Sequence, residues 1–457
     1  MKRIVIYSIL ILSSIACEHK FLDEKPSSNI IRPQTLDDLE SLLDNDWVIN
    51  VTGVLKRVSS DEYYILNEQT WKSLPWATQR NAYIWQEDLY QGETGIKDWD
   101  YLYRVVFYAN SVLGELEEIN VDDIQRSKDL KGKALFIRAF ANYDLVNTFA
   151  NFYNPETADL DLGIPIRLSA DINKVEQRSS VKACYQHIIT DLEESLSLIV
   201  SGPPDPLRTR PSKAAAYALL AKVYLNMANY QNALEATNKT LELYSYVTDF
   251  NTLDLSSEQP FRNNYNDIIY YTTQVQDFTI TSGVGPLTAN YISIDTLLLS
   301  SYDASIDLRF PVFFSVADNG NYYRKMMFGS RLVNLYPFTG LATDEIFLIK
   351  AECETRLGKD DQAKKTLLSF LEKRFIKGYR PNLNNLNNKE LLERVFEERK
   401  KELIWRSTRW SDIKRLSRDG EELVLTRIIG ENHYELKSNS PRFIFPIPDN
   451  ELIHLKK

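Results

Sequence analysis

Residues 212–236 read SKAAAYALLAKVYLNMANYQNALEA, and this stretch predicts two α-helices that fold back on each other. Ala233 follows nine residues after the last aromatic residue of the first helix, at a crossing where only a small side chain lets two helices approach closely. Apolar residues three and four positions apart define one face of the first helix, and these are Tyr217, Leu220, Ala221 and Tyr224.

A second stretch keeps the same spacing, with Phe347, Ala351 and Ala363, although Glu354 stands where the first has an aromatic residue. Helix–turn–helix units of about 34 residues with this pattern are typical of tetratricopeptide repeats, which a generic helical hairpin can imitate. Further amphipathic runs flank both stretches. The sequence therefore predicts a mostly α fold that contains a partial, tetratricopeptide-like helical array.

Helix boundaries are predicted from capping residues and glycine. One helix should begin after Ser179-Ser180, two should be separated by Gly358 and Asp360, and the last long one should begin at Asn387-Asn388. A β-like piece is predicted at 267–271.

Two segments, 45–95 and 246–340, lack this periodicity and combine aromatic with polar residues. They are predicted to be long, structured excursions from the helical scaffold, and such excursions are where binding usually resides. The flat aromatic rings of these segments can stack on sugar rings or on peptide side chains. The alternative is that these rings pack into the protein core. The candidate ligand-binding residues are Trp71, Trp76, Trp85, Tyr291, Tyr302, Tyr322 and Tyr323.

The N-terminus has the layout of a secretory signal: a basic start, an apolar run from Ile4 to Ile15, and small residues before Cys17. The sequence predicts a lipoprotein signal peptide over 1–16 and lipid attachment at Cys17, with a plain signal peptide as the alternative. The formal net charge is −9. Removal of the signal peptide would also remove Lys2 and Arg3 and make the net charge −11. An acidic chain without a basic block excludes nucleic acid as the expected partner.

Catalytic motifs are absent from the sequence. The four histidines are scattered, and neither HExxH, GxSxG nor a glycine-rich phosphate loop occurs. We expect that the protein is not an enzyme and that it has no catalytic residue, no metal site and no cofactor. Glycoside hydrolases use two opposed carboxylates. The sequence does not show which of its 63 acidic residues could form such a pair, so a surface hydrolase stays an alternative.

Six motifs in order resemble those of the SusD/RagB family, outer-membrane nutrient-binding lipoproteins. The motifs are FLDEKP at 21–26, WDYLY at 99–103 running to Asn110, KALFIRAF at 133–140, AAYALLAKVYL at 215–225, ERKKEL at 398–403 with RWSDIKR at 409–415, and FPIP at 445–448.

The resemblance implies one compact, mostly α domain in which residues 17–245 and 246–457 pack together. In it, a tetratricopeptide-like array of about four helix pairs supports long irregular loops, which come together as a ligand face above the array. It also implies a partner, a TonB-dependent outer-membrane transporter (SusC-like) that such proteins cover as a lid, and a lipid-anchored location at the cell surface. Members bind oligosaccharides most often and peptides in some cases. A tetratricopeptide scaffold for envelope proteins is a further alternative.

Charged residues alternate through the motifs at 398–415, and we interpret them as structural ion pairs and caps between adjacent helices. A ladder of weak surface ion pairs is the alternative. The residues concerned are Glu398, Arg399, Glu402, Arg409, Asp412 and Arg415.

Overall fold

The computed structural model describes residues 33–120, 122–261, 266–325, 336–438 and 440–455. The predicted signal peptide at 1–16, the predicted lipid attachment at Cys17 and the motif at 21–26 lie outside the described residues.

Helices dominate the described part of the chain. Eighteen α-helices lie there: α1 (Leu36–Leu43), α2 (Asp46–Ile49), α3 (Leu55–Val58), α4 (Glu68–Ser73), α5 (Ala77–Tyr83), α6 (Lys97–Glu118), α7 (Ile124–Phe149), α8 (Val181–Leu198), α9 (Lys213–Asn226), α10 (Tyr230–Leu243), α11 (Thr279–Ser282), α12 (Thr296–Ser300), α13 (Arg309–Phe313), α14 (Thr343–Arg356), α15 (Asp360–Leu371), α16 (Asn388–Glu402), α17 (Arg409–Arg418) and α18 (Asp449–Leu455). Short 3₁₀ helices cover Phe250–Thr252, Pro286–Asn290 and Pro441–Phe443.

The strands are short and pair only in twos. They are β1 (Val51–Thr52), β2 (Tyr63–Ile65), β3 (Leu162–Pro165), β4 (Arg178–Ser180), β5 (Ile268–Tyr270), β6 (Thr273–Gln274), β7 (Ile292–Ile294), β8 (Phe314–Val316), β9 (Tyr322–Arg324), β10 (Leu341–Ala342), β11 (Val424–Ile429) and β12 (Asn432–Lys437). The pairs are β1–β6, β2–β7, β3–β4, β5–β10, β8–β9 and β11–β12, of which only β1–β6 is parallel within the described residues.

The long helices form a continuous array. Helices α6 and α7 form one hairpin, α8 packs on α7, and α9 with α10 forms the next hairpin. Helix α14 packs on α10 and contacts both α15 and α16. The predicted mostly α, tetratricopeptide-like fold is therefore confirmed.

The two alanines predicted at helix crossings, Ala233 and Ala363, are fully buried. Ala233 lies in α10, which packs along α9, and Ala363 lies in α15, which packs along α14. Glu354, in place of the aromatic residue, is also buried, and burial raises the pKa of its carboxyl group. A small side chain at each crossing allows the close approach that the spacing predicted.

Capping side chains set the helix boundaries where the sequence predicted them. The Ser180 hydroxyl accepts the Ala183 amide at the start of α8. Asn387 forms a capping box with Glu390 at the start of α16. Helix α14 ends at Arg356 and α15 begins at Asp360, as predicted from Gly358.

The two aromatic segments meet through strands that lie more than 200 residues apart in the sequence. Strand β2 pairs with β7, and the Leu66 amide extends this pairing by donating to the Tyr291 carbonyl at 3.0 Å. Strands β1 and β6 form a second junction. The β-like piece predicted at 267–271 is β5.

The charged motifs at 398–415 are largely buried, so the alternative of a surface ladder is wrong. Arg399 donates to Glu345 of α14 at 3.0 Å and to Asp412 of α17 at 2.8 Å. The bidentate pair of Arg415 with Glu352 joins α17 to α14. These ion pairs between helices agree with the structural interpretation.

The division of the chain into an N-terminal portion, 17–245, and a C-terminal portion, 246–457, stays a prediction.

Candidate ligand-binding face

The predicted ligand-binding aromatics fall into three groups by exposure. Trp76 is 51% and Tyr291 38% exposed, whereas Trp85, Tyr302 and Tyr323 are only 3%, 5% and 6% exposed. Trp71 and Tyr322 are half-buried against the main core. We refer to Trp71, Trp76, Tyr291 and Tyr322 as the aromatic face.

Trp85 belongs to the core, which corrects its prediction as an open stacking surface. Its indole N–H donates to the Ser59 carbonyl at 3.0 Å, and the Arg427 guanidinium lies 5.1 Å from its ring centroid. The residue adopts a left-handed backbone conformation, with φ of 56°. The side chain is therefore held inward and leaves almost no ring surface for a ligand.

Tyr302 and Tyr323 are likewise unavailable for stacking. The Tyr302 hydroxyl donates to the Lys401 carbonyl at 2.7 Å, its ring packs 5.3 Å from Phe314, and burial raises the pKa of its phenol. The Tyr323 hydroxyl donates to the Glu258 carboxylate at 2.8 Å. Tyr302 thus ties the second segment to α16, and Tyr323 forms a hydrogen bond within the segment.

The turn that carries Trp76 is fixed on both sides. The Trp71 indole N–H donates to the Arg80 carbonyl at 3.1 Å, which ties α4 to α5. The Glu93 carboxylate accepts the amides of Ala77 and Thr78 at 2.7 and 2.9 Å, directly after Trp76. Burial raises the pKa of Glu93, but these hydrogen bonds outweigh that effect and lower it overall. An ionised carboxylate thus caps α5 and holds Trp76 at the surface.

Asparagines of the β8–β9 turn hold the chain just before Tyr291, and the residue after β2 holds Tyr291 itself. The side-chain amides of Asn319 and Asn321 both donate to the Ala289 carbonyl, at 2.9 and 3.0 Å. The Tyr322 amide donates to the Ser293 hydroxyl at 3.1 Å, so β9 lies alongside β7. Since the Tyr291 carbonyl accepts the Leu66 amide, Tyr291 lies next to the segment that leads into α4.

A cleft of about 330 Å³ lies between residues 82–89 and 440–446, and sequence reasoning missed it. Its volume falls within the range of small-molecule sites. Trp85 contributes to its wall, and the Arg442 guanidinium donates to the Trp85 carbonyl at 3.2 Å across it. More than 350 residues separate the two walls in the sequence, so no local sequence pattern predicts the cleft. Phe445 and Pro446 of the FPIP motif belong to one wall.

In the described ranges, no group of three or more histidine, cysteine or acidic side chains is arranged to hold a metal ion. Cys184 and Cys353 are buried thiols, and burial raises the pKa of Cys184 to about 11. Across the described ranges, no helix is both long and apolar enough to span a bilayer.

Family models match most of the chain. Residues 20–225 match the family described as "Starch-binding associating with outer membrane", and residues 343–455 match the "SusD family". The chain belongs to the SusD/RagB family. The "SusD-like protein P2" of Formosa agariphila is 25% identical over 418 residues, covering 78% of this chain and 77% of the relative.

Solved structures share the SusD fold of this chain. A putative sugar binding protein of Bacteroides vulgatus aligns with a TM-score of 0.75 and 22% identity, covering 93% of this chain and 97% of that one. A SusD-like carbohydrate binding protein of the same species aligns with a TM-score of 0.72 and 18% identity, over 93% and 97% of the two chains. At these identities the alignments establish the fold alone.

Proposed function

We propose that this SusD-family chain is a cell-surface lipoprotein that captures oligosaccharides and passes them to a TonB-dependent outer-membrane transporter. The observation that supports it most is the aromatic face, where two remote segments present Trp76 and Tyr291 to solvent. An indole or phenol offers an apolar surface for the C–H face of a sugar. Exposed Asn290, the residue before Tyr291, offers an amide group for sugar hydroxyl groups.

Peptides are the second candidate ligand, since aromatic surfaces also accept peptide side chains. A scaffold for envelope proteins is less well supported, because it needs a repeat groove and no exposed aromatic loops. In this function the chain binds its ligand without turnover and needs no cofactor.

Titration calorimetry with panels of oligosaccharides and of peptides tests ligand capture. We expect saturable binding of at least one oligosaccharide and recovery of that ligand unchanged after prolonged incubation. Binding of peptides alone would favour the second candidate. Cleavage of the ligand that a single carboxylate substitution abolishes would contradict a purely binding role.

Anchoring and delivery are tested separately in cells. We expect labelled palmitate to be incorporated into the wild type but not into Cys17→Ala, and the wild type to copurify with a TonB-dependent transporter. Equal labelling of both proteins would contradict lipid attachment at Cys17. Absence of any transporter from the purified assembly would contradict the importer role.

A further inference from the structure

The carboxylate of Glu93 fills a role that the side chain of Trp76 cannot fill. Trp76 stands directly before the first turn of α5, at a position where serine, threonine, aspartate or asparagine usually accepts an amide of that turn. An indole has a donor and no acceptor, and the Trp76 side chain accepts no amide of α5. Glu93 supplies both acceptors from a later part of the chain. One of its oxygens accepts the Ala77 amide, and the other accepts the amide and the hydroxyl of Thr78.

The turn that carries Trp76 is also held on its other side. The Trp76 carbonyl accepts the Arg80 amide at 3.2 Å, and the Arg80 guanidinium donates to the Leu74 carbonyl. Leu74 itself is 1% exposed and packs in the main core. Because the backbone is fixed before and after Trp76, its ring can turn only about the two bonds of its own side chain.

Glu93 is placed by a constrained loop. Its amide donates to the carbonyl of buried Tyr90 at 2.9 Å, and the Tyr90 hydroxyl donates to the Pro446 carbonyl. Gln91 adopts a left-handed φ of 47°, which is costly for a residue with a side chain, and Gly92 follows with φ of 79°. Strain of this kind persists where surrounding contacts hold it, and here it accompanies the placement of Glu93 beside the Trp76 turn.

A cap alone would not need this arrangement. Aspartate or asparagine at position 76 could cap α5 by itself, without a strained loop elsewhere. The chain instead has at that position an indole that is 51% exposed. A ring that is already held in place binds more tightly, because ordering it during binding costs free energy.

We propose that Glu93 is a positioning residue of the aromatic face, which holds the backbone of Trp76 so that the indole is presented to an oligosaccharide in one direction. This inference rests on the proposed function. Glu93 acts through Trp76 and does not itself touch the oligosaccharide. Loss of the carboxylate should therefore weaken oligosaccharide binding by about 3–10-fold, and only while the Trp76 ring is present.

A double-mutant cycle tests this coupling. The probe is an array of neutral oligosaccharides, and the one that the wild type binds most tightly is titrated against Glu93→Ala, Trp76→Ala and the double variant. We expect Glu93→Ala to weaken binding in the wild-type background but not in the Trp76→Ala background. Equal losses in both backgrounds would overturn the proposal. Absence of binding by the wild type would contradict the proposed function and, with it, this role of Glu93.

Asp123→Ala is the matched control for a loss of stability. The Asp123 carboxylate accepts the Arg126 amide at 2.9 Å at the start of α7, outside both aromatic segments. Its removal should lower the melting temperature, as Glu93→Ala does, but leave oligosaccharide affinity unchanged. An equal loss of affinity in Asp123→Ala and Glu93→Ala would overturn the proposal.

Fluorine NMR follows the ring without any oligosaccharide. In protein labelled with 5-fluorotryptophan, the Trp76 signal is the one that is missing from Trp76→Phe. We expect this signal to shift or broaden in Glu93→Ala and to stay unchanged in Asp123→Ala. An unchanged Trp76 signal in Glu93→Ala would overturn the positioning role, even where the wild type binds an oligosaccharide and the proposed function stands.

Discussion

The helical array and the aromatic face use aromatic residues in opposite ways. In the array, the Trp99 ring is buried 4.7 Å from Tyr103 and 5.0 Å from Phe149. On the aromatic face, Trp76 and Tyr291 are exposed, and their backbone carbonyls accept the amides of Arg80 and Leu66. In the array, the burial of an aromatic side chain follows from its position in the helical period. In the loops, the exposure of an aromatic side chain depends on contacts between segments that are remote in sequence.

Charges show the same contrast. The array buries ion pairs between helices, such as Arg415 with Glu352, which are demanding in geometry and so favour one arrangement of helices. Near the aromatic face, the Glu93 carboxylate binds backbone amides instead and fixes a single turn. We infer that substitutions in the array affect folding and substitutions of exposed rings affect binding.

The largest expected effect in this comparison is that of Trp99→Ala. The substitution leaves a cavity between α6 and α7 and should lower the free energy of unfolding by about 3–5 kcal/mol. Chemical denaturation measures the change. A loss below 1 kcal/mol would show that the Trp99 ring is not a packed element of the array.

Breaking a buried ion pair should have a comparable effect. Arg415→Met leaves Glu352 and Asp412 buried without this partner, and we expect a loss of about 3–5 kcal/mol in denaturant titrations. Lys389→Met is the control, because its pair with Glu393 is exposed and should contribute less than about 1 kcal/mol. Similar losses for both variants would contradict the distinction between buried and exposed pairs.

Overpacking a helix crossing should have a smaller effect. Ala233→Leu adds three carbon atoms where α9 and α10 meet, and we expect destabilisation of about 1–3 kcal/mol. An unchanged melting temperature would show that this crossing has unused space.

Asp98 joins the two regions, because its carboxylate on α6 accepts the amides of Val54 and Leu55 at 2.7 and 2.9 Å. Burial raises the pKa of Asp98 to about 7, well above that of an unfolded aspartate. A raised carboxyl pKa stabilises the folded state at low pH, and this contribution is lost as the pH rises to about 7.

Relative to Asp98→Asn, the wild type should therefore gain on the order of 1–2 kcal/mol of unfolding free energy between pH 7.5 and pH 5.5. The asparagine retains an oxygen for both amides and serves as the titration-free reference. Parallel pH profiles for the two proteins would contradict the shift.

Much of the array could be predicted from sequence, since helical period, capping residues and alanine spacing are local signals. The aromatic face was predicted only in part. Trp85 and Trp76 lie in similar polar contexts, yet Trp85 is turned inward by its left-handed backbone and by Arg427, more than 300 residues away. The alternation of charge at 398–415 predicted pairing, but the burial depends on partners in α14 that no local pattern reveals.

The central claim, that the aromatic face binds the ligand, is tested most directly by calorimetric titration of Trp76→Ala and Tyr291→Ala with the oligosaccharide identified by screening. Matched controls are Phe107→Ala and Tyr379→Ala, which remove exposed rings outside both aromatic segments, each ring residue being 40% exposed.

We predict that at least one aromatic-face variant loses more than about 1 kcal/mol of binding free energy, while its melting temperature stays close to that of the wild type. The controls should bind as the wild type does. Unchanged affinity in both aromatic-face variants, with the proteins folded, would contradict the account and place the ligand elsewhere on the molecule.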